Sequence, residues 1–127
     1  KTADYFCELV KFCADLGGEA IVVGSPKQRN LLPGVSFEQA WELARETFVP
    51  SVKLAEDKGV TICFEPLAPS ETDFVNTAAK GIEFIRQFDS DAFKIILDVK
   101  AMCSDPKPIP DIIRDSHPNF AYFHAND

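Results

Sequence analysis

The sequence predicts an α/β chain with a parallel sheet, organised as about four βα units of a (β/α)8 TIM barrel. Three observations predict it. Amphipathic stretches with helical spacing alternate with short apolar runs in the order α-β-α-β-α-β-α-β, which implies right-handed crossovers between parallel strands. Apolar side chains fall on both faces of those runs, the pattern of strands covered on both sides. Three successive runs also end in a side chain able to hold a metal ion, namely Glu65, Asp98 and His124. An open doubly wound sheet has the same element order. The glycine patterns of phosphate and dinucleotide loops are absent, however, and the polar strand ends favour the barrel.

The first helix is predicted over Thr2 to Leu16, with Phe6, Leu9, Val10, Cys13 and Leu16 on one face and Gly17-Gly18 as its stop. A strand follows at Ala20 to Val23. The second helix begins at Ser36, where Ser36-Phe-Glu-Gln39 has the form of a capping box. Its stripe is Phe37, Ala40, Trp41, Ala44, Phe48, Val52 and Ala55; Pro50 removes a backbone donor and is expected to kink or split it. After Gly59 comes the strand Val60 to Glu65, which Pro66 ends. A helix from about Asn76 to Phe88, with Ala78, Ile82 and Ile85 inward, leads to the strand Phe93 to Asp98. A short helix at Pro110 to Asp115 precedes the last strand, Phe120 to His124.

Size and composition bound the reading. A chain of 127 residues, 46% hydrophobic and 26% charged, is ordinary for a globular sequence and long enough for one domain at most. A full barrel needs about 250 residues, so four strands make half of one. Lys1 in place of Met, and an end on Phe-His-Ala-Asn-Asp, lead to the expectation that residues 1–127 are a partial domain truncated at both ends. The net charge of −7, from 20 acidic and 13 basic residues, argues against a nucleic-acid partner. No run of about 18 apolar residues could span a membrane, and polar residues interrupt every candidate signal segment. Cys7, Cys13, Cys63 and Cys103 form no CxxC pair and are expected to be reduced thiols of a cytoplasmic protein.

The carboxyl ends of parallel barrel strands share one face, so Glu65, Asp98 and His124 are expected to converge despite their separation in sequence. For any one polar strand end, a loop hydrogen bond or a helix cap is the ordinary role. Three consecutive ends with ligand-type side chains argue for a metal site. Two carboxylates and an imidazole suit Mn²⁺, Mg²⁺ or Co²⁺, with Zn²⁺ also admissible. The loop from Gly24 to Asn30 follows a strand on the same face, where Gln28 or Arg29 could lie over a substrate hydroxyl or phosphate, or simply face solvent. Lys100 is open between a substrate contact and a plain loop lysine. Trp41 and the phenylalanines at helical spacing are expected in the core, and His117, before Pro118, in solvent.

At Glu65-Pro66-Leu67, Glu71 and Asn76-Thr77 the sequence resembles the Glu-Pro-Leu-x-x-x-Glu…Asn-Thr segment of ketose 3-epimerases and related sugar phosphate isomerases/epimerases, a xylose isomerase-like TIM-barrel group. Leu97-Asp98 followed by Met102 is similar to that group's Leu-Asp-x-x-x-Met. Phe123-His124-Ala-Asn-Asp127 is similar to its His-x-x-Asp strand end. The resemblance covers nearly all of the chain, as the third to sixth βα units.

It implies that Glu65, Asp98 and His124 are three of four metal ligands, that Glu65 is also a catalytic acid/base, and that Glu71 contacts substrate near the reacting carbons. It implies a fourth ligand, a glutamate on the eighth strand, and a substrate-binding arginine, both beyond Asp127; the fragment alone is expected to be inactive. Where several 3-epimerases have a sugar-binding histidine three residues past the ligand aspartate, this chain has Ala101 beside Lys100, which leaves another sugar or a sugar phosphate open.

The expected activity is a metal-dependent isomerase or epimerase that moves a proton next to the carbonyl of a small sugar through an enediolate. Two alternatives remain at this point. One is a metal-dependent hydrolase like the superfamily's damaged-DNA endonuclease, which uses a histidine-rich trinuclear zinc site. The other is a non-catalytic sugar-binding relative. Assembly is open, a homo-oligomer among the options.

Overall fold

A computed structural model describes residues 1–126. Four strands, β1 (Ala20–Val23), β2 (Thr61–Phe64), β3 (Phe93–Asp98) and β4 (Phe120–His124), pair in sequence order, every pair parallel. Helices α1 (Thr2–Asp15), α2 (Phe37–Lys58), α3 (Ala78–Ile85), α4 (Val99–Met102) and α5 (Ile109–Ser116) precede or connect them. This sequential parallel order is that of half a (β/α)8 barrel.

Alternation along the strands separates two faces. Ile62 and Phe64 of β2, with Phe93, Ile95 and Leu97 of β3, join the apolar cluster formed with the helices. Cys63, Lys94, Ile96 and Asp98 point to the opposite face, the side that lines a barrel interior. The helix side is unusually aromatic. Phe84, fully buried, has Trp41, Phe64, Phe88 and Phe93 around it at centroid distances of 5.0, 5.2, 5.6 and 6.1 Å. Helix α3 approaches so closely at Gly81 that an added Cβ would stand 2.8 Å from Pro66 and 3.2 Å from Ile95.

Helix α2 carries the expected capping box: the Ser36 hydroxyl accepts from the Gln39 N–H, and the Ser36 N–H donates to the Gln39 side chain. It does not split at Pro50. The carbonyl four residues back belongs to Glu46, and both residues are exposed, so the freed oxygen meets water rather than a dry core. Leu16, expected on the inner face of α1, lies past the helix end and is 71% exposed. The third helix is shorter than predicted: Thr77 caps α3, and Arg86–Phe88 tighten into a 3-10 turn. Helix α4 was not predicted.

The pairing of β3 with β4 is irregular. Ile95 faces Phe120 but Ile96 faces Tyr122, so Ala121 is an extra residue in β4. Beyond it, Leu97 faces Phe123 and Asp98 faces His124. Side chains alternate faces along a strand, so a one-residue shift exchanges them. The bulge brings His124, rather than Phe123, level with Asp98 on the interior face.

All four cysteines are free, and burial pushes the Cys63 thiol up to about 11. Among the described residues, no helix is long and apolar enough to cross a membrane.

Candidate metal centre

Glu65, Asp98 and His124 meet at the carboxyl end of the sheet, each offering one ligand atom within 4.8 Å of the others. The His124 Nδ1 lies 3.7 Å from the Glu65 Oε1 and 3.6 Å from the Asp98 Oδ2. Both carboxylate side chains are nearly buried, whereas that of His124 is 41% exposed.

Each acid is oriented by its neighbours. The Asp98 Oδ1 accepts from the Ala101 N–H and so caps α4. This leaves Oδ2 for the cluster, where it also accepts from the Asn126 Nδ2 at 2.7 Å. Asn126 in turn accepts from the Lys100 N–H, tying the end of β4 to the start of α4. Glu65 Oε1 faces His124, while Oε2 lies against Gly24. Burial and then the charge of Asp98 push the Glu65 carboxyl up, against the opposing pull of His124 and Arg29. Two facing carboxylates without full compensation, joined by an imidazole, are the donor set a hard divalent cation would neutralise. The residues present fit such an ion.

The loop after β2 carries Glu71 and is knitted by Asn76, whose Nδ2 donates to the carbonyls of Leu67 and Thr72. Thr77 then accepts from the Lys80 N–H to open α3. Asn76 and Thr77 therefore shape the loop. Glu71 pairs with Lys100 at 3.2 Å, bridging the loops that follow β2 and β3. Gln28 is exposed at the end of a 3-10 turn, Pro26–Gln28.

Arg29, expected outward over a substrate, turns inward. Its guanidinium lies 4.6 Å over the Phe64 ring and donates to the carbonyls of Glu65 and Val23. Burial pulls its proton affinity down to about 10, which leaves the group charged at neutral pH. His117 is exposed, Trp41 packs against the core, and Asp127 lies outside the described residues.

Sequence reasoning missed Asn126 and the space at Gly24. For Gly24 the signal was a glycine immediately after a strand, level with the glutamate that ends the next one.

Sugar epimerases are among the known proteins that this chain is similar to. The chain is 31% identical over 87 residues to the D-psicose 3-epimerase of Ruminiclostridium cellulolyticum, covering 68% of this chain and 30% of that protein. It is 25% identical over 120 residues to the L-ribulose 3-epimerase of Mesorhizobium japonicum, covering 94% and 40% respectively. A crystal structure of D-psicose 3-epimerase in the presence of D-fructose superposes with a TM-score of 0.87 at 23% identity, over 98% of this chain and 44% of that one. The chain thus spans well under half the length of these relatives. The pattern of the xylose isomerase-like TIM barrel matches along residues 1–127, and the chain belongs to that family.

Proposed function

We propose that the protein containing this chain is a metal-dependent sugar isomerase or epimerase acting on a small ketose, another sugar or a sugar phosphate. The observation that carries this reading is the convergence of Glu65, Asp98 and His124 within 4.8 Å, on a scaffold shared with ketose 3-epimerases. The four strands would be the third to sixth of the barrel, and residues 1–127 one part of its domain. A single imidazole in the cluster gives no support to the histidine-rich endonuclease alternative.

Glu65, Asp98 and His124 would hold Mn²⁺, Mg²⁺ or Co²⁺, with Zn²⁺ admissible. When bound, the ion supplies Lewis-acid stabilisation to oxygens that gain negative charge as the sugar becomes an enediolate. The chain's own residues do the rest. Glu65 removes or returns the proton on the carbon beside the carbonyl. Asp98 holds position without exchanging a proton, because its Oδ1 is tied to the Ala101 N–H. Glu71 and Lys100 form an ion pair near the site entrance, able to take sugar hydroxyls or, at Lys100, a phosphate. Gln28 lies on the loop after β1, where a hydroxyl contact is open to it. The free thiols agree with a cytoplasmic setting, and a homo-oligomer fits the reading as well as a monomer.

The test is proton exchange between substrate and deuterated water, in the full-length protein, across a panel of ketoses and their phosphates. Glu65→Gln keeps the shape and an oxygen donor, so exchange should fall by about 10²–10⁴-fold while Mn²⁺ still binds. Exchange at the wild-type rate with Mn²⁺ bound would assign the proton to another residue.

A further inference from the structure

Arg29 is a half-buried cation whose guanidinium, among the described residues, makes no salt bridge to a carboxylate. Its Nη1 donates to the Glu65 carbonyl at 2.5 Å and its Nη2 to the Val23 carbonyl at 2.8 Å, while the plane rests on Phe64, the residue before Glu65. Val23 and Phe64 are register partners, so one side chain binds the ends of two adjacent strands. The Glu65 N–H closes the same joint by donating to Val23 at 3.0 Å. On the other side of Glu65 stands Gly24. A Cβ built there would lie 1.7 Å from the Glu65 Oε2 and 2.9 Å from its Cδ, so the carboxylate could not keep its present place. The φ of Gly24 is not in the left-handed region, so the glycine serves here as space for the carboxylate and not as a conformational release.

We propose that Arg29 and Gly24 form a brace that positions the Glu65 carboxylate. Arg29 fixes the main chain from which the side chain springs, and Gly24 leaves the volume that Oε2 occupies. Arg29 is thus a positioning residue, not a substrate contact. Its planar fork suits two carbonyls at once, and a charged donor makes each bond stronger than a neutral one would. The loop Pro26–Arg29 becomes part of the support for the ligand set, as outer-shell partners do for metal sites generally. This inference rests on the metal-site reading of Glu65.

The experiment titrates the full-length protein with Mn²⁺ alone, following the paramagnetic resonance of the free ion, and melts each variant thermally. Arg29→Met keeps the stem on Phe64 but removes both donors; Mn²⁺ affinity should fall by about 10–100-fold, the range for outer-shell partners. Arg29→Lys should recover part of that loss, because an ammonium can reach one carbonyl of the two. In a Glu65→Ala background the Arg29→Met effect should shrink to near none, whereas a residue that merely holds the fold would cost the same factor in both. Gly24→Ala gives a readout independent of the ion and of whether Arg29→Met folds. It should lower the melting temperature of the wild type and be tolerated beside Glu65→Ala, where Oε2 is gone. If Glu65→Ala leaves Mn²⁺ binding unchanged, the metal site falls and the brace with it. If Glu65→Ala weakens binding but Arg29→Met and Gly24→Ala do not, the brace alone is overturned. Equal losses in both backgrounds overturn it too.

Discussion

Glu65 and Asp98 leave strands whose side chains are buried almost without exception, whereas His124 leaves a strand in which Ala121, Tyr122 and Phe123 are all exposed. Three side chains therefore reach one point from unlike ground. The two acids are set by packing: β2 and β3 are held by the phenylalanine cluster, by α3 and by each other. Among the described residues, the imidazole is set by the Tyr122 ring beside it and by pairing, through a register that the extra residue of β4 shifts. The difference separates what side-chain packing supplies from what strand register supplies.

Three substitutions and one insertion in the full-length protein would break or sharpen that contrast. The largest effect is expected from Phe84→Ala, which empties the space under β2 and β3 and should cost about 3–5 kcal/mol in denaturant unfolding. If the acids rely on packing, Mn²⁺ affinity should fall with it. An alanine inserted between Tyr122 and Phe123 leaves the core alone but should turn His124 off the interior face and bring Phe123 level with Asp98. Mn²⁺ affinity should drop beyond the roughly 100-fold upper end for outer-shell changes, with little change in far-ultraviolet circular dichroism. Asp98→Asn keeps the helix cap and removes the charge, so affinity should weaken by about tenfold or more and activity return in part with excess Mn²⁺. Lys100→Gln should be the mildest. The exposed pair with Glu71 contributes at most about 1 kcal/mol, so stability should hold while KM rises, most of all for a phosphorylated substrate.

Much of this was legible in the sequence, and what was not has identifiable causes. The strands announce themselves by β-branched and aromatic runs, and Asp98 and His124 stand where the runs predict strand ends. The apolar stripe of α2 is found in the core residue for residue. Helix α4 was hidden because its four residues are too short for a periodic stripe, and Asp98 fills both of the roles weighed for it, cap and cluster member. The bulge left no trace: Ala121 is neither glycine nor a breaker, and the irregularity follows from where β3 holds its partner. Arg29 sits in a polar loop that favours solvent by every local rule. Only the position of Phe64 and two carbonyls makes an inward path available, and those lie on other segments.

The two oxygens of Asp98 do separate work, one closing α4 and the other facing the cluster. Whatever occupies the cluster therefore shares a carboxylate with the helix that carries Lys100. Binding there and folding of α4 are linked equilibria, each favouring the other by the same free energy. Amide hydrogen exchange at Ala101 would record that link, slowing as Mn²⁺ is added and quickening as it is withdrawn. The turn that carries Lys100 would then be firmest with an ion bound beside it.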